Sequence, residues 1–201
     1  MSSCASGVSE KRFWTWFQTN EASLYDFQKN QPQIFDQLSA EMHKIHPALT
    51  FEFGPVQDGR REFIISADGI KDAFPKVESL YAAAPQLPRW KFTKFRQRGK
   101  PLDIAYEGIS VKADAVAVMA QPDGAKAKVT VFLPDYAVAA HQKYQAIAFL
   151  VLDRALGEYD VETRVSEVQV ASTAHVPADA FSLDAFPRAF DSLWTNQKGR
   201  Q

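Results

Sequence analysis

Apolar positions over residues 1–47 keep a helical period. Phe13, Trp14, Trp16 and Phe17 crowd the segment Glu10–Thr19, with Ser9 as its N-cap and Asn20 placed to cap a continuation through Phe27. From Pro32 onward, Ile34, Phe35, Leu38, Met42 and Ile45 recur at helical spacing until His46-Pro47 stops the run. Two helices are predicted there. The period then changes to two: Leu49, Phe51 and Phe53 alternate with polar or small residues, and Arg61-Glu-Phe-Ile-Ile-Ser follows Gln57-Asp58-Gly59. Two hairpin registers are open. A two-residue Asp58-Gly59 loop puts Phe53 opposite Ile64, whereas a type I turn with a bulge at Gly59 pairs Phe53 with Phe63 and Phe51 with Ile65. The second gathers the aromatic rings on one face and is the one expected.

Asp72 then caps a helix with Pro75 in its first turn and Phe74, Val77, Leu80, Tyr81 and Ala84 as its stripe, ending at Pro85. Trp90-Lys-Phe-Thr-Lys-Phe-Arg follows with rings of both parities, which predicts a central strand covered on both sides. Ile104–Tyr106 and Ile109–Val111 flank Glu107-Gly108 as a short hairpin. The order then repeats: strand Ala115–Gln121, turn Pro122-Asp123-Gly124, strand Lys128–Leu133, helix Asp135–Leu156 stopped by Gly157, and strand Val161–Ala171. A degenerate duplication and two independent uses of one common unit explain this repetition equally well. A shorter echo, Asp72-Ala-Phe-Pro-Lys and Asp184-Ala-Phe-Pro-Arg, is explained as two helix starts, the second leading into Phe186, Phe190, Leu193 and Trp194.

The expected fold is α+β. A largely antiparallel sheet is built from two ββαβ blocks with helices packed on it, preceded by an α-helical N-terminal segment. The expected layout is a single domain over 9–195 between disordered tails at 1–8 and 196–201. It comprises a helical segment at 9–47, a first block at 49–98, a hairpin at 102–112, a second block at 114–171 and a C-terminal helix at 179–195.

Composition narrows the functional classes. The chain has 201 residues, 46% hydrophobic and 12% aromatic, enough to bury a core. With 23 Lys and Arg against 24 Asp and Glu, it has no global field that attracts polyanions or membranes. The single cysteine, Cys4, can form neither an intrachain disulfide nor a metal cluster, and no apolar run spans a bilayer, so a soluble cytoplasmic protein is expected. His43 and His46 could share a helix face, but two imidazoles are too few for a zinc centre, and a helix C-terminus explains them; His141 and His175 lack sequence-local partners. Nucleophile elbows and phosphate-binding glycine loops are missing, and the carboxylates Glu52, Glu62, Asp68, Glu107, Glu158 and Asp160 show no pairing by spacing. No catalytic residue, metal ligand or cofactor is assigned.

Two segments remain as candidate contact surfaces. Phe13, Trp14, Trp16 and Phe17 look too numerous for one buried helix face, which points to an exposed patch for a partner. The stretch Arg89–Lys100 interleaves cations with rings, and its Trp90, Lys94, Arg96 and Arg98 are the candidate contacts to a ligand or polyanion. A core strand running into a solvated loop accounts for the same stretch more simply.

Phe13-Trp-Thr-Trp-Phe, Leu49-Thr-Phe-Glu-Phe-Gly-Pro, Arg61-Glu-Phe-Ile-Ile-Ser-Ala, Trp90-Lys-Phe-Thr-Lys-Phe-Arg and Leu156-Gly-Glu-Tyr-Asp-Val-Glu-Thr form a distinctive set. Over most of residues 10–170 they make the chain resemble a family of uncharacterised bacterial proteins. The resemblance implies a bacterial, cytoplasmic protein and brings no activity, cofactor or site residue with it. The leading expectation is a non-enzymatic protein-binding or interaction module. The alternatives are a small-molecule sensor or enzyme with a cleft between the two ββαβ blocks, near Trp90 or Tyr106, and a weak binder of single-stranded nucleic acid through Arg89–Lys100.

Overall fold

The computed structural model describes residues 3–195, with side chains over 7–194. The fold is α+β. The chain divides into two compact units, the first ending at Arg96 and the second starting at Gln97, within the span 9–195 expected as one domain. The reason is that each ββαβ block closes its own hydrophobic cluster.

In the first unit, helix α1 (Ser3–Thr19) begins inside the segment expected to be a tail, and Ser9 lies within it. The Ser9 hydroxyl donates to Glu10 Oε2 at 2.8 Å and does not cap the helix. The tail expected at 196–201 lies outside the described residues. Helicity does not run on unbroken through Phe27: α2 (Glu21–Tyr25) is a separate short helix, followed by a 3-10 turn at Phe27–Lys29 and then α3 (Gln31–His43), with Pro32 in its first turn.

Strands β1 (Thr50–Gln57) and β2 (Arg60–Ser66) form the hairpin, α4 (Phe74–Ala82) crosses back, and β3 (Trp90–Lys94) pairs parallel to β2. The order is β1-β2-β3. β3 is therefore an edge strand, not the central strand expected from its two-parity rings. Phe95 reaches the core by a backbone reversal at φ 58°, packing on Phe74 at 4.6 Å between centroids, and does not point to the opposite sheet face. Asp72 sits in a 3-10 turn at Lys71–Ala73 and makes no side-chain cap.

The hairpin pairs Phe53 with Phe63 and Phe51 with Ile65 as expected, but by another device. Asp58 (φ 51°) and Gly59 (φ 74°) make a two-residue loop closed by Gln57 and Arg60. Left alone, that loop would put Phe53 opposite Ile64. A bulge at Gly54-Pro55 sets two residues against Glu62 and restores the register. Pro55 has no N–H to lose from the ladder, and a Cβ at Gly54 would stand 2.9 Å from Glu62 Cβ. One sheet face then carries Phe51, Phe53, Phe63, Ile65 and Phe92, and the other carries Glu52, Glu62, Lys91 and Thr93.

The second unit opens with the hairpin β4 (Ile104–Tyr106) and β5 (Ile109–Val111), as expected. Strands β6 (Ala117–Asp123) and β7 (Lys126–Leu133) pair antiparallel, and their loop is Gly124-Ala125, so Pro122 lies within β6 and not at the turn corner. Helix α5 (His141–Leu156) starts later than Asp135, which takes φ 53° in the preceding turn. Gly157 stops it as expected, but α6 (Glu158–Arg164) comes next, so residues 161–164 are helical and the strand β8 begins at Val165 (Val165–Ser172). β9 (Phe181–Ser182) and α7 (Phe186–Thr195) complete the unit. The order is β8-β7-β6-β9, with β8 parallel to β7. Both units thus share the sequence strand, tight loop, strand, helix, parallel strand. α4 and α7 start at the Phe of the two Asp-Ala-Phe-Pro echoes, in keeping with helix starts.

Candidate functional site

The N-terminal aromatic quartet divides by helix geometry. At about 100° per residue, Phe13, Phe17, Glu10 and Trp14 fall on one arc, while Trp16 lies outside it. Phe13, Trp14 and Phe17 are 1%, 3% and 0% exposed, so they are core residues and not the partner surface expected of them. Trp14 Nε1 donates to the Leu80 carbonyl at 2.8 Å, fastening α1 to α4. Trp16 alone of the four is half-buried.

Trp16 opens onto a cleft of about 410 Å³ between α1, α2 and α3, floored by Leu24 and Ile34 and walled by Asn20, Asp26, Lys29, Asn30, Gln33 and Gln37. Asn20 Nδ2 donates to the Trp16 carbonyl at 2.8 Å, and Asn30 Nδ2 donates to Gln33 Oε1. Lys29 and Asp26 form an exposed ion pair at 2.7 Å, and the Lys29 ammonium holds the Asp26 carboxyl below its ordinary range, with Arg89 and Arg61 adding to the pull. The cleft therefore presents one indole, an apolar floor, and amide groups that offer a donor and an acceptor each.

Two arginines brace the wall that carries Asp26 and Lys29. Arg61, 7% exposed, lies 4.8 Å from the Phe27 ring centroid and 5.4 Å from that of Tyr25, and donates to the Gly54 carbonyl at 3.3 Å and Gln28 Oε1 at 3.4 Å. Its buried Nε makes no hydrogen bond among the described residues. Arg89 stacks 3.6 Å from the Tyr25 centroid, and the Tyr25 hydroxyl donates to the Gly59 carbonyl at 3.2 Å. The cation–π contacts tie the α2 segment to β2 and to the residue before β3, and the Tyr25 hydroxyl ties it to the hairpin loop, which together fix the cleft's wall.

The cations of the basic stretch from Arg89 to Arg98 are engaged by carboxylates, and its first ring is buried. Trp90 is 1% exposed, with its Nε1 donating to Glu21 Oε1 at 2.8 Å. Arg89 pairs with Glu21, Lys91 with Glu62, Lys94 with Glu78 at 2.6 Å, and Arg96 with Asp68 at 2.5 Å and Glu52 at 3.4 Å. In the second unit, Arg98 bonds Asp160 at 2.6 Å, both oxygens of Asp191 at 2.8 and 2.9 Å, and the Leu156 carbonyl at 3.0 Å. The bonds from Asp191 come first among the causes that raise the Arg98 pKa, and the same pairing lowers that of Asp191. Lys94, Arg96 and Arg98, nominated for a ligand, thus each pair with carboxylates of the same unit, and Trp90 is a core residue with no ring face open for stacking.

His46, His141 and Glu62 are likewise engaged by neighbouring groups. His46 Nδ1 accepts from the Ala48 N–H at 3.2 Å, and His141 Nδ1 lies 2.9 Å from the Tyr136 hydroxyl. No group of three or more metal-ligating side chains is present among the described residues, and the Cys4 side chain lies outside them. Burial raises the Glu62 carboxyl, but bonds from Lys91 and Thr93 hold it below its ordinary value. No helix among the described residues is long and apolar enough to cross a membrane.

Sequence reasoning missed the amide wall, although a signal was present: Asn30, Gln33 and Gln37 stand three and four residues apart on one helix face, as do Trp16 and Asn20. No family model, curated protein or solved structure matches the chain.

Proposed function

We propose that the chain is a non-enzymatic interaction module of the bacterial cytoplasm, and that its first unit takes a polypeptide segment in the Trp16 cleft. The observation that carries this reading is the half-buried Trp16 lining an amide-walled cleft, on a helix whose other large rings are buried. Indoles that line concave sites are common anchors for a partner, and side-chain amides match the alternating donors and acceptors of a peptide backbone. The braced wall supports preorganised binding, which lowers the ordering cost of association.

Selection of binding peptides from a random display library, followed by titration, tests the reading. Selected peptides are expected to shift the fluorescence of Trp16, and Trp16→Ala with Gln33→Ala is expected to abolish binding with the circular dichroism spectrum unchanged. Peptide affinity indifferent to both substitutions would sink it. The cleft volume also lies within the range of small-ligand sites, so a thermal-shift panel of polar small molecules belongs beside the peptides. Stabilisation by such a compound, lost in Trp16→Ala, with no peptide selected, favours a small-molecule sensor at the same cleft.

A further inference from the structure

At the loop end of the first hairpin, the polar face of the sheet holds a cavity of about 240 Å³ lined by Pro55, Gln57, Asp58, Arg60, Glu62 and Lys91. Its charges fall into two kinds. Glu62 and Lys91 pair at 2.8 Å, and Glu62 Oε1 also accepts from the Thr93 hydroxyl at 2.5 Å, so these two ions are matched within the wall. Asp58 and Arg60 are not. Among the described residues neither makes an ion pair, and the Asp58 carboxylate makes no side-chain hydrogen bond. One carboxylate and one guanidinium thus line the same small space without meeting.

Hydrogen bonds explain why they stay apart. Arg60 Nε and Nη2 both donate to the Trp90 carbonyl, at 3.2 and 2.7 Å, which anchors the guanidinium and leaves Nη1 for another acceptor. Asp58 holds the left-handed backbone at φ 51°, in a two-residue loop whose Gly59 carbonyl accepts from the Tyr25 hydroxyl at 3.2 Å. Each charge is carried by a braced element, so the gap between them is part of the fold.

We propose that this cavity binds the zwitterionic head of a free α-amino acid, with its carboxylate on Arg60 Nη1 and its ammonium on Asp58. An anion alone would leave Asp58 unmatched beside it, and a cation alone would leave Arg60 unmatched. A molecule with both charges a few bonds apart satisfies both. Size agrees with this class: pockets for drug-sized ligands start at about 300 Å³, so this one admits something smaller. The Pro55 ring and the Gln57 amide are the uncharged parts of the wall, which favours small uncharged side chains such as those of alanine, serine and proline. The cavity shares no lining residue with the Trp16 cleft, so this site stands independently of peptide binding there.

Nuclear magnetic resonance titration of the full chain with alanine, serine and proline tests the proposal. The backbone amides of Asp58, Gly59 and Arg60 are expected to shift saturably with at least one of the three. N-acetylalanine and alaninamide, each lacking one of the two charges, are expected to bind about tenfold more weakly than alanine or worse. Asp58→Asn, which places a favoured residue in this turn, and Arg60→Gln are each expected to weaken binding by about tenfold or more, with the circular dichroism spectrum unchanged. Where Arg60→Gln disturbs the spectrum, Asp58→Asn decides alone. Absence of saturable shifts at those amides with all three amino acids at about 20 mM overturns the proposal. So does an affinity unchanged in Asp58→Asn, or N-acetylalanine binding as tightly as alanine.

Discussion

The two units share a topology and differ in what fills it. In the first, Phe63 is fully buried among the rings of Trp14, Phe17, Phe51, Phe53, Trp90 and Phe92. In the second, the matching face of β7 presents Ala127, Val129, Val131 and Leu133 to Ile147, Val151 and Leu152 of α5. The ββαβ frame therefore depends on strand alternation, tight loops and one crossing helix, while the packing material is free to vary. Aromatic filling has a consequence of its own: rings are large and stiff and meet at preferred angles, so they fix few arrangements and leave gaps costly.

The largest expected effect follows from that contrast. Phe63→Ala should destabilise the first unit by about 3–5 kcal/mol, and Val131→Ala the second by about 2 kcal/mol. Urea unfolding followed by tryptophan fluorescence, which reports mainly Trp14, Trp16 and Trp90, and by far-ultraviolet circular dichroism measures both. Equal costs would break the comparison.

Each unit also has its own acid-sensitive ion. In the second, Arg98→Ala should cost about 2 kcal/mol, since charge-assisted bonds are worth more than neutral ones and partial exposure screens them. Its Asp191 carboxyl lies below the ordinary 3.8 in the folded chain, so its contribution is present above that value and fades as pH falls through the depressed one. Arg98→Ala should flatten that acid limb. In the first unit, burial raises the Glu10 carboxyl, and bonds from the Ser79 and Ser9 hydroxyls, both 2.8 Å, bring it net below 4.5. Ser79→Ala should cost about 1.5 kcal/mol and shift the onset of acid unfolding upward in pH. An acid midpoint unmoved in Ser79→Ala would remove Glu10 from the account.

The smallest effect concerns the loops. Gly59 (φ 74°) and Gly124 (φ 61°) both hold the left-handed backbone, and a Cβ at either meets nothing within 4 Å. Gly59→Ala and Gly124→Ala should therefore each cost about 1 kcal/mol in thermal denaturation, from backbone strain alone. A marked difference between them would show that the two hairpins are not equivalent supports.

Periodicity made the frame legible. The change from three-and-four spacing to alternation near Leu49, the Glu107-Gly108 hairpin and the stop at Gly157 could all be read along the chain, because each depends on near neighbours. The edge position of β3 could not, since it depends on which strand lies beside it. Nor could the neutralised cations: Arg96 finds Asp68 and Glu52, 28 and 44 positions away, and Arg98 finds Asp191 at 93. Trp16 was legible as one of four rings but not as the one left over, because that depends on where α4 and the sheet meet α1. The cleft's amides were visible as a stripe and overlooked because polar helix faces usually mean solvent.

The bulge at Gly54-Pro55 gives the first hairpin a reserve of length. Strand β1 holds one residue more than its partner, and the two-residue loop does not absorb it. Loss of a single codon at Gly54 or Pro55 would leave a regular ladder with Phe53 still opposite Phe63, whereas loss of one codon between Phe53 and Phe51 would turn a phenylalanine out of the core. In this hairpin, the tolerance of the gene to deletion changes within three codons, and the aromatic rings determine where.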